Sequence, residues 1–347
     1  MNNHRNSNRL TILLRRTIVL ICILSAGIAQ YSLLFRKLQF TSDILSNGIL
    51  LLTPPVSFGL FTKDVTSQPE SFPKQSFQRA YEESLGFFED VTEEEWIRRK
   101  KITLAQIHMV PQPEQQPDQV ANVNRVTKID NAPYWYATNW HPDFHCGYED
   151  FIGLGGDGGK WVCDPHRLLQ KEHCIIYSIG SNGKFDFEIS VNQQLPHCEV
   201  HIFDFTDYSE AMTQANVSAS YHVWGLGSSS GKANVRSKKH HRIFKSFRET
   251  VQELGHLGRT IDIFKIDCEE CEWISYLDWF QNSGVEGIQQ ILLEAHYVPY
   301  PTAENMFQYL HDQGYVIFHK EPNIQFGGGN CVEFSFLRLN RTYFLEN

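Results

Sequence analysis

The sequence predicts an α/β domain built on a doubly wound, mostly parallel sheet of seven strands with an antiparallel hairpin at its end. Two observations predict it. From residue 174 onward, short apolar runs alternate five times with helical stretches, the pattern of successive βα units. After the last helix come two strand-like runs, YVIFHKEP (315–322) and CVEFSFLRL (331–339). Only the Gly-rich NIQFGGGN lies between them, too short for a crossover, so they pair antiparallel.

Taken in order, CIIYSIG (174–180) is a buried parallel strand ending in Gly, and KFDFEISVNQQL follows as a helix. EVHIFDF (199–205) and SEAMTQA form the second unit, and ASYHVWGLG (219–227) is the third strand. HRIFKSFRETVQELG (241–255) predicts an amphipathic helix with Ile243, Phe244, Phe247, Val251 and Leu254 on one face. IDIFKID (261–267) is the fourth strand, EWISYLDWFQ a helix, and IQQILLEAHY (288–297) the fifth strand. TAENMFQYLHDQG is a helix closed by Gly314. In such sheets ligands bind beyond the carboxyl ends of the strands, which here carry Gly180, Asp204, Gly225, Asp267 and Glu294.

The region before residue 131 reads differently. Residues 17–35, TIVLICILSAGIAQYSLLF, hold no charge and match the length of a bilayer span, following a basic tail at 1–16. The flanking arginines orient such a span with residues 38–347 on the luminal side, in the endoplasmic reticulum or Golgi. The competing reading, a signal peptide cleaved after Ala29, makes the protein secreted. Sequons at Asn216 and Asn340 agree with either reading. Residues 36–130 read as a stem, with a Pro- and Gln-rich linker at 110–120, and 131–347 as the compact domain.

Charge and cysteine usage narrow the function. Residues 1–37 hold six bases and no acid, which leaves 25 bases against 40 acids in the rest. That balance excludes a general nucleic-acid binder, which needs a basic face for phosphates. The basic stretch RSKKHHRIFK (236–245) is either a site for an anionic acceptor or a solvated helix entrance. Seven cysteines follow the apolar run, an odd number. Cys174 and Cys198 open two adjacent strands about 5 Å apart and are the preferred disulfide. Cys268 and Cys271, in FKIDCEECEW (264–273), form a disulfide or buried thiols, a redox pair, or part of a metal site. A zinc site needs further ligands that no second C-x-x-C supplies. No metal is assigned.

YSIGSNG (177–183) closes the first strand with a turn suited to close ligand approach, and Asp204 follows 24 residues after Gly180. A carboxylate at the end of the second strand is the usual acceptor for ribose hydroxyls, so the pair points to an adenosine-type cofactor. The ordered set S-x-G-x-N, F-D, K-I-D-x-E-x-x-E-W, E-x-H and H-K-E-P-N resembles the methyltransferase-like proteins with one N-terminal anchor and a type 22 methyltransferase domain. These are distant relatives of FkbM-type O-methyltransferases. The resemblance implies a Rossmann-like class I methyltransferase fold over residues 131–347 and S-adenosylmethionine as cofactor. It places Ser178, Gly180 and Asn182 in the cofactor loop, Asp204 on the ribose, and Asp267 and Glu269 between cofactor and substrate.

Two positions depart from those patterns. Ser178 stands where class I enzymes usually carry an acid, and Glu270 stands where D-x-E-G-x-E has glycine. Asp267, Glu294 and His296 are the candidates for catalysis, with His296 either a general base or a hydrogen-bonded strand-end histidine. The expected reaction is O-methylation of a glycan or small-molecule acceptor. The rival readings are an inactive interaction module on the same fold and a luminal glycosyltransferase. The latter generally carries a D-x-D motif, and Asp267-Cys268-Glu269 is not one.

Overall fold

A computed structural model describes residues 77–109, 132–155, 158–228, 242–298, 301–324 and 328–345. Its centre is a seven-stranded sheet in the order β10-β11-β9-β8-β3-β4-β5. The parallel strands are β3 (Ile175–Ile179), β4 (Glu199–Phe203), β5 (Ser220–His222), β8 (Thr260–Ile266) and β9 (Gly287–His296). The last two, β10 (Tyr315–Pro322) and β11 (Cys331–Arg338), run antiparallel, with β11 inserted between β10 and β9. This is the expected Rossmann-like class I methyltransferase arrangement. Strand order reverses between β3 and β8, where a crevice forms at the carboxyl ends.

The central strands are apolar along nearly their whole length because both faces are covered. All of β3, and all but the first residue of β8 and of β9, are buried. One buried exception has a use. Gln290 of β9 makes two hydrogen bonds of 2.9 Å with the backbone of Cys163, fastening a small antiparallel hairpin to the sheet. That hairpin pairs β1 (Glu149–Ile152) with β2 (Lys160–Cys163). A disulfide from Cys146 to Cys163 and the expected one from Cys174 to Cys198 lie beside it.

Several elements differ from expectation. The third strand is only Ser220–His222. The chain then bends, and Gly225–Leu226 (β6) pairs with Phe244–Lys245 (β7). The helix expected over 241–255 is Phe247–Glu253. Ser246 makes it start later, through a capping box with Glu249, and Ile243, expected on the apolar face, is exposed. Other helices flanking the sheet are Ala132–Thr138, Asp186–Gln194, Ser209–Gln214, Glu272–Ser275 (continued by a 3-10 turn) and Thr302–Asp312. Gly314 closes the last with φ +90°, and a Cβ there would lie 2.4 Å from the Leu339 carbonyl oxygen.

Part of the expected stem packs as core. Helices Gln78–Glu83 and Glu93–Met109 bring Phe87, Phe88, Val91 and Trp96 into a cluster with Phe144, Ile152 and Val162. Glu83 is buried and accepts from Trp96 Nε1 at 2.6 Å and Lys100 Nζ at 2.8 Å. Residues 77–109, expected outside the domain, therefore contribute to its core. The membrane placement is also corrected. Among the described residues no helix is long and apolar enough to cross a membrane. The run 17–35, the linker 110–120 and residues 236–241 of the basic stretch lie outside the described residues.

Candidate active site

The crevice forms because two backbones meet where β3 and β8 end. Asp267 N donates to Ile179 O at 2.9 Å, and Gly180 N to Phe203 O at 2.8 Å. Gly180 adopts φ +81°, and a Cβ there would stand 1.7 Å from the Asp267 carbonyl oxygen. Only glycine fits such an approach. The following turn passes through Asn182 (φ +48°) and Gly183 (φ +71°) against the ring of Tyr208.

Asp204 organises this turn. Its Oδ2 accepts from Ser181 N at 3.2 Å and Asn182 N at 2.9 Å, and its Oδ1 from Thr206 N at 2.9 Å. Lone pairs remain for a ligand, since a carboxylate offers about four acceptor positions. Ser178 is placed differently from the expectation. It is fully buried, does not line the cavity, and donates its hydroxyl to Glu188 Oε1 at 2.5 Å. Glu188, from the helix after the turn, reaches the cavity wall instead. The acid missing at position 178 is thus delivered by a residue ten positions later.

Gly180, Asn182, Asp204, Asp267, Glu269, Glu294 and His296 all line one cavity of about 700 Å³. Its apolar side is Phe205, Leu226 and Phe244. There the Arg242 guanidinium lies 4.0 Å from the Phe205 ring centre, and a Cβ on Gly225 would meet Phe244 at 2.8 Å.

The opposite side is a cluster of buried charge. Lys160, from the β1–β2 hairpin, is 2.8 Å from Glu333 Oε1 and 3.7 Å from Asp267 Oδ2. Burial opposes its charge, but Glu333, Asp267 and Glu294 outweigh this and hold its pKa above the ordinary lysine value. For Asp267, burial pushes upward, yet Lys160, Lys265 and His296 together keep its pKa below the usual aspartate value. Glu294 is pushed up to about 7, first by burial and then by Asp267. Its Oε1 accepts from Asn323 Nδ2 at 2.9 Å. Glu333 is pushed up to about 8 by burial, helped by Glu294 and Asp267 against Lys160.

His296 is held by the fully buried Glu272, whose Oε1 lies 2.9 Å from His296 N and 3.1 Å from Nδ1. Its Nε2 is 3.8 Å from Asp267 Oδ1. Burial disfavours the imidazolium, but Glu272, Glu294 and Asp267 raise its pKa to about 10. The ring is therefore a cation at neutral pH.

The C-x-x-C pair resolves as a disulfide between Cys268 and Cys271. It brackets a turn in which Glu269 and Glu270 both take positive φ, +55° and +77°. Left-handed backbone costs an L-residue roughly 1–2 kcal/mol. The bond closes the loop in which Glu270 stands in place of glycine. Cys331 is a free thiol on the cavity wall, its pKa pushed up to about 12 by burial and the surrounding carboxylates. Lys160, Glu188, Glu272, Lys265 and Glu333 are site residues that sequence reasoning missed. Of these, Lys265 and Glu272 stand inside the quoted FKIDCEECEW motif, a signal that was available.

A family model described as a methyltransferase domain, type 22, matches residues 78–338. No curated protein matches the chain. Among solved structures, an rRNA methylase from Streptococcus thermophilus is similar at 7% identity and TM-score 0.32, covering 50% of this chain and 92% of that one. Fibrillarin from Aeropyrum pernix with natively bound S-adenosyl-L-methionine gives 12% identity, TM-score 0.30, and 49% and 68% coverage. TYW2 from M. jannaschii in complex with AdoMet gives 12%, 0.28, and 56% and 90%.

Proposed function

Because this chain belongs to the methyltransferase domain family, we propose that the cavity at the β3–β8 crevice is its active site and that it methylates an oxygen of a glycan or small-molecule acceptor. The family makes the protein a methyltransferase, and the cofactor assigned to it is S-adenosylmethionine. The cavity residues fit that cofactor. Gly180 lets the turn close onto the end of β8, where any Cβ would strike the Asp267 carbonyl oxygen, and Asp204 retains acceptor capacity beside it. Phe205, Leu226 and Phe244 offer an apolar wall for a base. When bound, S-adenosylmethionine supplies an electrophilic methyl group on a sulfonium.

The remaining work falls to this chain's own residues. An acceptor hydroxyl must lose its proton, and a base with pKa near the working pH does this best. Glu294, at about 7, is that base, with Oε1 held by Asn323 and its carboxyl hydrogen-bonded to Asp267. Asp267 stays ionised and keeps Glu294 basic. His296 is already protonated, so it serves as a fixed donor and positive charge rather than as the base.

The observation that carries the reading is the convergence of Gly180, Asp204, Asp267 and Glu294 on one cavity. Calorimetric titration of the disulfide-bonded chain with S-adenosylmethionine and S-adenosylhomocysteine tests it. Binding weakened by Asp204→Ala, followed by methyl transfer to a hydroxyl-bearing acceptor, is the expected result. A folded, oxidised protein that binds neither compound would sink the proposal.

A further inference from the structure

A second constellation lies away from the cavity. Strand β4 begins Glu199-Val200-His201, and residues two apart on a strand share a face. His256, from the turn after the Phe247–Glu253 helix, reaches the same place. His201 Nε2 and His256 Nε2 lie 2.9 and 3.3 Å from the same atom, Glu199 Oε1. Tetrahedral zinc with ligand bonds of about 2.0–2.1 Å separates its ligand atoms by roughly 3.3 Å, so both contacts to Glu199 are near coordination spacing, and all three ligand atoms lie within 4.8 Å of one another.

The far nitrogen of each ring is also engaged. His256 Nδ1 is 2.7 Å from the Tyr177 hydroxyl, and His201 Nδ1 is 2.9 Å from His222 Nε2. Partners of this kind orient imidazole ligands and fix their tautomer. Glu199 Oε2 faces Arg259 Nη1 at 3.5 Å, leaving Oε1 for the shared point. Both histidines are buried while the Glu199 side chain is half-exposed, which opens an approach from solvent.

We propose that Glu199, His201 and His256 bind a zinc ion that clamps β4 to the turn preceding β8. Imidazole and carboxylate without thiolate suit a divalent ion of this type, with water in the fourth position. On binding, each ligating ring keeps one proton, moved from Nε2 to Nδ1, where Tyr177 and His222 accept it. None of the three ligands lines the cavity, so the ion takes no part in methyl transfer. It stiffens the strand that presents Asp204 at its other end.

The test uses the full disulfide-bonded chain, stripped with chelator and re-equilibrated with zinc alone. Metal content and thermal unfolding are the readouts. The wild type is expected to retain one zinc per chain and to gain thermal stability from it. Glu199→Gln and His256→Gln should lose both effects, and Tyr177→Phe should weaken affinity by about 10–100-fold. Glu199 is half-exposed, so its variant decides the matter if His256→Gln fails to fold. Glu294→Gln alters a different donor cluster, Glu294, His296 and Cys331, whose one cysteine is not in a disulfide, and should leave zinc content unchanged. No uptake by the wild type, equal uptake by Glu199→Gln, or loss only in Glu294→Gln overturns the proposal.

Discussion

Replacing Glu294 with Gln separates its electrostatic cost from its chemical use. The pKa of this carboxyl is about 7 in the folded protein against 4.5 for an unperturbed glutamate. A group that holds its proton more tightly when folded contributes stability that is full below the unfolded value. That contribution is lost as pH rises through the folded one. At about 1.36 kcal/mol per unit, the shift is worth about 3 kcal/mol across that window. Gln keeps the oxygen that accepts from Asn323 and does not titrate. Urea unfolding should therefore show Glu294→Gln gaining about 3 kcal/mol relative to wild type between about pH 5 and about pH 8. Glu333 titrates in an overlapping range, so the difference between the two proteins is the quantity to read. Methyl transfer should fall by about 10²–10⁴-fold, the usual cost of losing a general base. In the wild type, the rate should rise with pH and level off above about 7. A stability difference that is flat with pH would refute the buried, protonated carboxyl. A variant with near-wild-type turnover would refute its role as base.

Three other perturbations test the frame around it. Lys160→Met leaves Asp267, Glu294 and Glu333 without their buried cation, and should cost about 3–5 kcal/mol at neutral pH in denaturant titrations. Gly180→Ala forces a Cβ to within 1.7 Å of the Asp267 carbonyl oxygen; calorimetry should find cofactor binding abolished and scanning should find a lower Tm. Joint replacement of Cys174 and Cys198 by Ser opens a link across 24 residues, for an expected loss of about 3 kcal/mol in urea unfolding. An unchanged midpoint would show that this bond contributes nothing to stability.

The succession of the seven strands along the chain was legible because hydrophobic periodicity is local and survives in any window of the chain. So was the hairpin, since eight residues of loop allow no crossover. Gly180, Asp204 and Asp267 were legible because strand ends are marked by the residues that stop them. Where two local signals competed, the reading slipped. The apolar stripe of 241–255 suggested one long helix, yet the capping box of Ser246 and Glu249 starts it at Phe247. The amphipathic piece before residue 110 read as a stem because its packing partners, Phe144 and Tyr343 among them, lie far along the chain.

What the sequence determined by itself, then, was the alternation of elements, the antiparallel close and the candidate residues at the strand ends. Which of those residues are charged was decided only by tertiary structure. Glu294 and Asp267 are both carboxylic acids at strand ends, but burial and mutual repulsion raise one while Lys160, Lys265 and His296 lower the other. His296 is a plausible base on paper and a cation in the fold because Glu272 lies under it. Lys160 reaches the site from a hairpin more than a hundred residues before Asp267. Proton affinity depends on distance and dielectric, and neither exists until the chain has folded.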